Sequence, residues 1–180
     1  MRWEDYTEQA QVTDLPQRLL LVGILVLLIL LALLAMRRGW KNRQRRQGDL
    51  PAPADAPGED WQLGTAVPGL FAGTGVQGNW LDRIAVHDLG VRSRCSLSWG
   101  SEGLWLERQG ARSLAIPAAD IVGVRADRGV AGTVRAKDGM VVVTWRLGDR
   151  LLDTGFRADV SGDHGTVLDG LMATFATGAR

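Results

Sequence analysis

The chain has 180 residues, with 21 lysines and arginines against 20 aspartates and glutamates, a formal net charge of +1 and one cysteine. Because the two signs nearly balance, the chain is not strongly basic, as nucleic-acid-binding proteins often are. Because Cys95 is the only cysteine, an internal disulfide is excluded. The length leaves room for one small domain beside the segments at its amino end.

An apolar stretch near the amino end, from Leu19 to Met36, contains no charged, amide or hydroxyl side chain. As a helix its eighteen residues cover about 27 Å, close to the thickness of a hydrocarbon core of about 30 Å. The stretch therefore predicts one membrane-spanning helix over residues 19–36, with the lipid bilayer as its partner.

The charges on the two sides of this stretch indicate its orientation. Residues 1–18 form a short tail with two arginines and four acids, and the carboxyl side carries six basic residues: Arg37, Arg38, Lys41, Arg43, Arg45 and Arg46. Because basic residues beside a span stay in the cytoplasm, we predict an extracytoplasmic tail, a single pass through the plasma membrane and a cytoplasmic carboxyl-terminal domain. The alternative is a cleaved signal peptide, which would have a basic start and a shorter apolar core.

A basic cluster and a proline-rich linker make up residues 37–60. Such a cluster also suits a nucleic-acid arm or an anionic lipid surface, but a topology signal explains it without either. Pro51, Pro53 and Pro57 stand among small and polar residues. This composition predicts an extended spacer that holds the next domain off the membrane.

Residues 61–180 carry the pattern of a β domain that ends in one helix. Glycine turns separate about seven short strands, from Leu70–Val76 through Asp82–Val86 to Leu151–Ala158. Met140–Arg146 is the strongest strand, and Lys137-Asp138-Gly139 before it is a hairpin signal.

The period becomes helical only over residues 163–177. There the apolar residues gather on one side of a helix: Val167, Leu168, Leu171, Met172 and Phe175. The predicted fold is mainly β, with an antiparallel sandwich or open barrel closed by this carboxyl-terminal helix.

Three stretches, Trp80–Arg94, Ile116–Arg125 and Thr144–Asp159, carry a resemblance to a known family. With the span, the basic cluster and the spacer, the chain resembles actinobacterial single-pass membrane proteins that bear a bacterial pleckstrin-homology-like (PH-like) domain. The resemblance implies a membrane-tethered cytosolic module, in a family sometimes labelled as transport or export proteins. It implies no active-site residues.

Two glycine motifs suggest chemistry. Residues 73–78 spell GTGVQG, which matches the dinucleotide fingerprint, but a fingerprint must open a helix and no helical pattern follows here. Asp153-Thr154-Gly155 resembles the catalytic loop of aspartic proteases, which need a second such carboxylate and a longer lobe. Two strands joined by a turn explain the first motif, and the second leaves a hydrolase that uses Asp153 as a weaker hypothesis.

The other reactive residue types do not form a site by their spacing. Cys95 alternates with Leu97 and Trp99 and has no metal-binding partner nearby, and His87 and His164 are the only histidines. We expect Cys95 to be a packed core thiol, most of the tryptophans to fill core and edge positions, and the protein to use no cofactor and no metal.

The charge of the domain narrows the choice of partner. Residues 47–180 hold 13 basic and 16 acidic residues, 13 − 16 = −3, with the two signs interspersed. Nucleic-acid and phosphoinositide sites need clustered basic charge, so neither partner is expected.

The first functional hypothesis is a binding or scaffold module, not an enzyme, that presents a sheet edge or its glycine turns to a protein partner. The candidate surfaces are Arg125–Ala136 and Phe71–Gly78. The alternatives are an accessory subunit of a membrane transport or export complex and, more weakly, the hydrolase.

Overall fold

A computed structural model describes residues 15–131, 133–134 and 139–175. The chain divides into two compact units, residues 1–43 and 44–180, which are described separately. Three parts of the sequence predictions lie outside the described residues: residues 1–14 of the predicted tail, Lys137 and Asp138 of the hairpin signal, and the end of the predicted helix at Thr177.

The first element is a long helix, α1, which spans Leu15–Arg46. Its segment Pro16–Asn42 has a mean hydropathy of 3.4 over its most apolar window and none of that window is buried, so it is long and apolar enough to cross a membrane. A membrane anchor meets this criterion, and a signal sequence near the amino end can meet it as well. The helix continues through all six predicted topology residues, since arginine, lysine and glutamine are good helix formers.

The second unit is built on an antiparallel sheet of eight described strands. Seven of them lie in the order β5-β4-β3-β1-β10-β9-β6, and β2 pairs with β1. A separate hairpin joins β7 and β8. The strands are β1 Val67–Val76, β2 Asn79–Arg83, β3 Ser93–Gly100, β4 Gly103–Arg108, β5 Leu114–Pro117, β6 Ile121–Asp127, β7 Gly129–Val130, β8 Thr133–Val134, β9 Met140–Leu147 and β10 Arg150–Ala158. The sheet is not closed, because β5 and β6 end it without pairing with each other.

A carboxyl-terminal helix, α2, spans Ser161–Phe175 and packs against β6, β9 and β10. Val167, Leu171 and Phe175 are buried in the main core, whereas Met172 is 42% exposed. Leu168 is partly buried and packs against the same core, so Met172 is the one residue of the predicted stripe that is exposed. The predicted mainly β fold with an amino-terminal apolar helix and a carboxyl-terminal helix is confirmed.

The two faces of the sheet bury different clusters. The main core lies on one face and includes Phe71, Trp145 and Phe156. A smaller cluster on strands β1 and β9 and in the β7–β8 hairpin is formed by Ala72, Val130, Ala131, Met140 and Val142. This hairpin was not predicted, since two-residue strands carry too little pattern to be recognised.

The structure differs from the predicted spacer over residues 47–60. Gln47 is 5% exposed and Leu50 is 3% exposed, within the main core. The Gln47 side chain donates to the Arg83 carbonyl at 3.4 Å and accepts from the Ala85 amide at 2.6 Å. Ala54 forms a β-bridge with Ala115 of the end strand β5. The folded unit thus includes these residues. Burial of the Leu50 side chain and the hydrogen bonds of the Gln47 amide hold them there, although the composition around them is typical of an extended spacer.

Candidate functional site

The two glycine motifs that stand far apart in the sequence are neighbours in the sheet. Strands β1 and β10 are antiparallel, and their register pairs Gly73 with Gly155, Thr74 with Thr154, and Gly75 with Asp153. The first motif ends β1 and turns directly into β2, with Gly78 at φ +77° in the turn. A strand, a turn and a strand replace the helix that a dinucleotide site requires, which excludes that interpretation of the motif.

On the core side of this pair, two threonines form a buried polar contact. The Thr74 and Thr154 hydroxyls lie 2.8 Å apart. The Trp145 indole nitrogen donates to the Thr154 hydroxyl at 2.8 Å. Because these polar groups are buried, each needs a partner, and the contact therefore fixes the relative register of three strands.

On the opposite side, the buried Asp153 forms an ion pair with the partly exposed Arg125. Its carboxylate receives hydrogen bonds from Arg125 on both oxygens, at 3.2 and 2.8 Å, and from the Thr144 hydroxyl at 2.6 Å. Arg125 also donates to the Thr144 hydroxyl at 2.7 Å. Its hydrogen bond with Asp153 raises the pKa of the Arg125 guanidinium, the largest effect there, so Arg125 stays charged.

The loop after β6 completes the surroundings of Arg125. Asp127 accepts from the Arg125 Nε at 3.3 Å and, on its other oxygen, from the Arg128 amide at 2.6 Å and the Gly129 amide at 3.4 Å. The Arg128 side chain is exposed, and among the described residues its guanidinium has no ion-pair or hydrogen-bond partner.

These groups line a pocket of about 470 Å³, and its lining also includes Val76, which packs against the main core. We call it the Arg125 pocket. Its lining is formed by Val76, Gly78, Arg125, Asp127, Arg128, Gly129, Val130 and Asp153. The volume suits one large side chain or a small ligand.

The pocket opens beside an end of the sheet. Among the described strands, β6 pairs only with β9. The register shifts between Ile121 and Gly123, which leaves Val122 outside the ladder with 44% of its surface exposed. The helix α2 packs against β6, and among the described strands none pairs with its other side; an edge strand left unpaired is a template for another strand.

The structure thus brings the ends of both predicted surfaces together. Val76 and Gly78 come from Phe71–Gly78, while five lining residues between Arg125 and Val130 belong to Arg125–Ala136. The sequence analysis missed the partnership of Arg125, Thr144 and Asp153. A detectable signal was present, since Thr144 and Asp153 are polar residues inside two apolar strands.

Cys95 is buried, as predicted, and burial raises the pKa of its thiol to about 12. Near it, the Arg108 guanidinium is also buried and lies 4.0 Å from the Phe71 ring. Arg108 donates to the Ser93 hydroxyl and to backbone carbonyls of Arg112, Asp88 and Val91. Both residues are structural, because a thiol with a raised pKa is a poor nucleophile and the arginine is satisfied inside the fold.

An open antiparallel sheet that ends in one helix packed on its core face defines a domain of the PH-like class. The chain belongs to the Bacterial PH domain-like family, whose model matches residues 47–171. The match begins at Gln47, which is buried against the β domain. No curated protein matches the chain.

Proposed function

We propose that this chain is a membrane-anchored interaction module whose PH-like domain binds an extended segment of a protein partner along β6. The single observation that carries the proposal is the position of the Arg125 pocket beside β6, which pairs only with β9 among the described strands. A strand added to that edge gains main-chain hydrogen bonds, and a pocket for one of its side chains gives selectivity.

The placement of the module follows from α1. Its apolar segment anchors the chain in the inner membrane, and the six basic residues after it keep the domain in the cytoplasm. Anchoring confines the domain to the membrane surface, which raises its effective concentration toward a membrane-bound partner.

Asp153 has a positioning role in this proposal, and the domain is not an enzyme. Both carboxylate oxygens are hydrogen-bonded within the fold and the residue is 4% exposed, in the middle of β10. A hydrolytic carboxylate must reach water and substrate, whereas this one holds the Arg125 guanidinium in place.

Site-specific photo-crosslinking in intact cells tests the proposal. A benzoylphenylalanine replaces Gly123 on β6, where no atom lies within 4 Å of an added Cβ, and a control replaces the exposed Val91. We expect the β6 probe to capture one reproducible protein through an extended segment, identified by mass spectrometry, and the control probe to capture none of it.

A proline at Val122 supplies the matched variant. Val122 stands outside the β6–β9 ladder and Ile121 before it is extended, at φ −78° and ψ 122°, so we expect the domain to fold with Val122→Pro. The proline should abolish the crosslink and Val122→Thr should keep it, with far-UV circular dichroism unchanged in both. Equal capture from both probe positions, or capture that survives the proline, would refute edge binding.

A further inference from the structure

In the Arg125 pocket, the carboxylate oxygens already accept hydrogen bonds, whereas some of the guanidinium N–H groups remain unused. All four carboxylate oxygens of Asp127 and Asp153 already accept hydrogen bonds from groups of this chain. Neither acid therefore needs a donor from a ligand. A cationic ligand would have to compete with Arg125 for oxygens that are in use.

The donors are in surplus. A guanidinium has five N–H groups, and those of Arg125 supply its four bonds to Asp127, Thr144 and Asp153. The Arg128 side chain offers all of its donors, since it has no partner among the described residues. The pocket thus presents unused N–H groups and no unused carboxylate oxygen.

We propose that the Arg125 pocket binds the carboxylate of an acidic side chain, aspartate or glutamate, carried by the segment that pairs with β6. This inference rests on the proposed function, which supplies the segment. Carboxylate oxygens complement a guanidinium in charge and in geometry. Alternate side chains of an added strand point to the same face, so one of them can enter the pocket.

Charge and shape favour a carboxylate over a phosphate. The two arginines and two aspartates of the pocket balance in charge, so an added carboxylate leaves one negative charge in excess and a phosphate about two. The partly exposed Val76 offers apolar contact for the methylene groups of an acidic side chain, whereas Val130 lines the pocket but is almost fully buried.

Peptide selection on the full chain in lipid nanodiscs tests this inference. Random peptides are displayed on phage and selected, and the winners are synthesised with amidated carboxyl ends so that only side chains supply carboxylates. Affinities are then measured by titration calorimetry on three proteins: the native chain, Arg128→Gln, and Arg112→Gln as a control. Arg112 is exposed in the turn before β5, at the opposite end of the sheet.

We expect the selected peptides to share one acidic position. Replacing that residue by its amide should weaken binding to the native chain and to Arg112→Gln about tenfold, the usual size for a hydrogen bond with a charged group. The same replacement should change binding to Arg128→Gln less than about twofold, because the coupling is already lost.

The outcomes separate this inference from the proposed function. One outcome would refute the carboxylate site and leave edge binding standing. In it, the selected peptides no longer bind Val122→Pro, but they either share no acidic position or keep the tenfold effect in Arg128→Gln. Displacement of the acidic peptide by inositol trisphosphate, through Arg128, would also refute it in favour of a phosphate site. Failure to select any peptide that depends on β6 would refute both.

Discussion

Asp153 is a buried carboxylate whose partners come from two other strands. Arg125 of β6 and Thr144 of β9 supply its hydrogen bonds, and Arg125 is the more exposed partner, with 42% of its side chain accessible against 6% for Asp153. Water can replace a lost partner of the arginine more easily than of the aspartate. The two ends of the pair are therefore unequal in their effect on stability.

Removing either end of the ion pair should reveal this asymmetry. We expect Arg125→Met to lower the free energy of unfolding by about 3 kcal/mol, because it leaves the buried Asp153 unpaired. Asp153→Asn should cost about 1 kcal/mol, since Arg125 keeps Asp127 and water. The measurement is a urea titration of tryptophan fluorescence on the full chain in detergent micelles. Arg112→Met is the control, and equal losses in the two variants would contradict the argument.

The buried thiol of Cys95 should make stability depend on alkaline pH. Desolvation by burial raises its pKa above the ordinary value of 9.0 to about 12, so the unfolded chain loses this proton first. Stability from the neutral thiol is complete below pH 9 and is lost as the pH rises toward 12. Between these values the free energy of unfolding should fall by about 1.4 kcal/mol per pH unit more steeply in the native chain than in Cys95→Ala. Parallel pH profiles would contradict this.

Among the elements, β1 and β10 show why their glycines are needed. A Cβ on Gly155 would contact Val130 and would lie 2.6 Å from the Met140 sulfur, while one on Gly73 would lie 3.1 Å from the Ala131 Cβ. The β7–β8 hairpin can pack this closely on the sheet only because Gly73 and Gly155 carry no side chain. Since the loop before the hairpin lines the Arg125 pocket, the glycines also shape the site.

Gly155→Ala tests this packing. We expect a loss of about 1–3 kcal/mol in the free energy of unfolding, because the added methyl group overpacks a filled space. Hydrogen exchange at Val130 and Met140 should become faster as the hairpin shifts. Gly123→Ala on β6 is the matched control, since nothing lies within 4 Å of its added Cβ, and it should change stability by less than about 0.5 kcal/mol. Similar effects of the two alanines would refute the packing argument.

The segment that follows α1 belongs to the folded domain. Leu50 is 3% exposed in the main core, and its carbonyl lies 2.8 Å from the His87 Nε2. We expect Leu50→Ala to cost about 2–4 kcal/mol in the free energy of unfolding, because it leaves a cavity. The neighbouring exposed Asp49→Ala should have little effect in the same urea titration. A free spacer would instead tolerate both changes equally.

For the molecule as a whole, the question that matters most is where the domain lies relative to the membrane. The charges around α1 predict a cytoplasmic domain, with the amino end outside. The proposed function depends on this placement, because the partner must reach β6 in the same compartment.

Protease accessibility measures this orientation. Protease added outside spheroplasts should leave the domain intact and should degrade it once the membrane is permeabilised. Replacing the six basic residues by glutamine should expose the domain on a fraction of the chains, because the topology signal is gone. Intact-mass analysis should find Met1 or Arg2 still present. External digestion of the native domain, or a chain cleaved after the apolar stretch, would overturn the anchored orientation.

Local patterns were enough to predict the helices and most of the strands. An apolar run of eighteen residues and a helical stripe are properties of consecutive residues, as is strand alternation in Met140–Arg146. The boundaries of β2 and the docking of Gln47 and Leu50 were not predictable in this way. The first depends on a shifted pairing with β1 between Gly75 and Val76, and the second on contacts with distant residues, since Gln47 and Arg83 are 36 positions apart.

The pocket depends on folding over longer distances. Thr74 and Thr154 are 80 positions apart, and only the β1–β10 register places the two glycine motifs side by side. Each motif alone suggested chemistry that the fold does not support. Composition and period are properties of consecutive residues and are the same in any arrangement of the strands. Other features exist only once distant strands have paired: the partner of a carboxylate, the unpaired edge of a sheet and the space above a glycine.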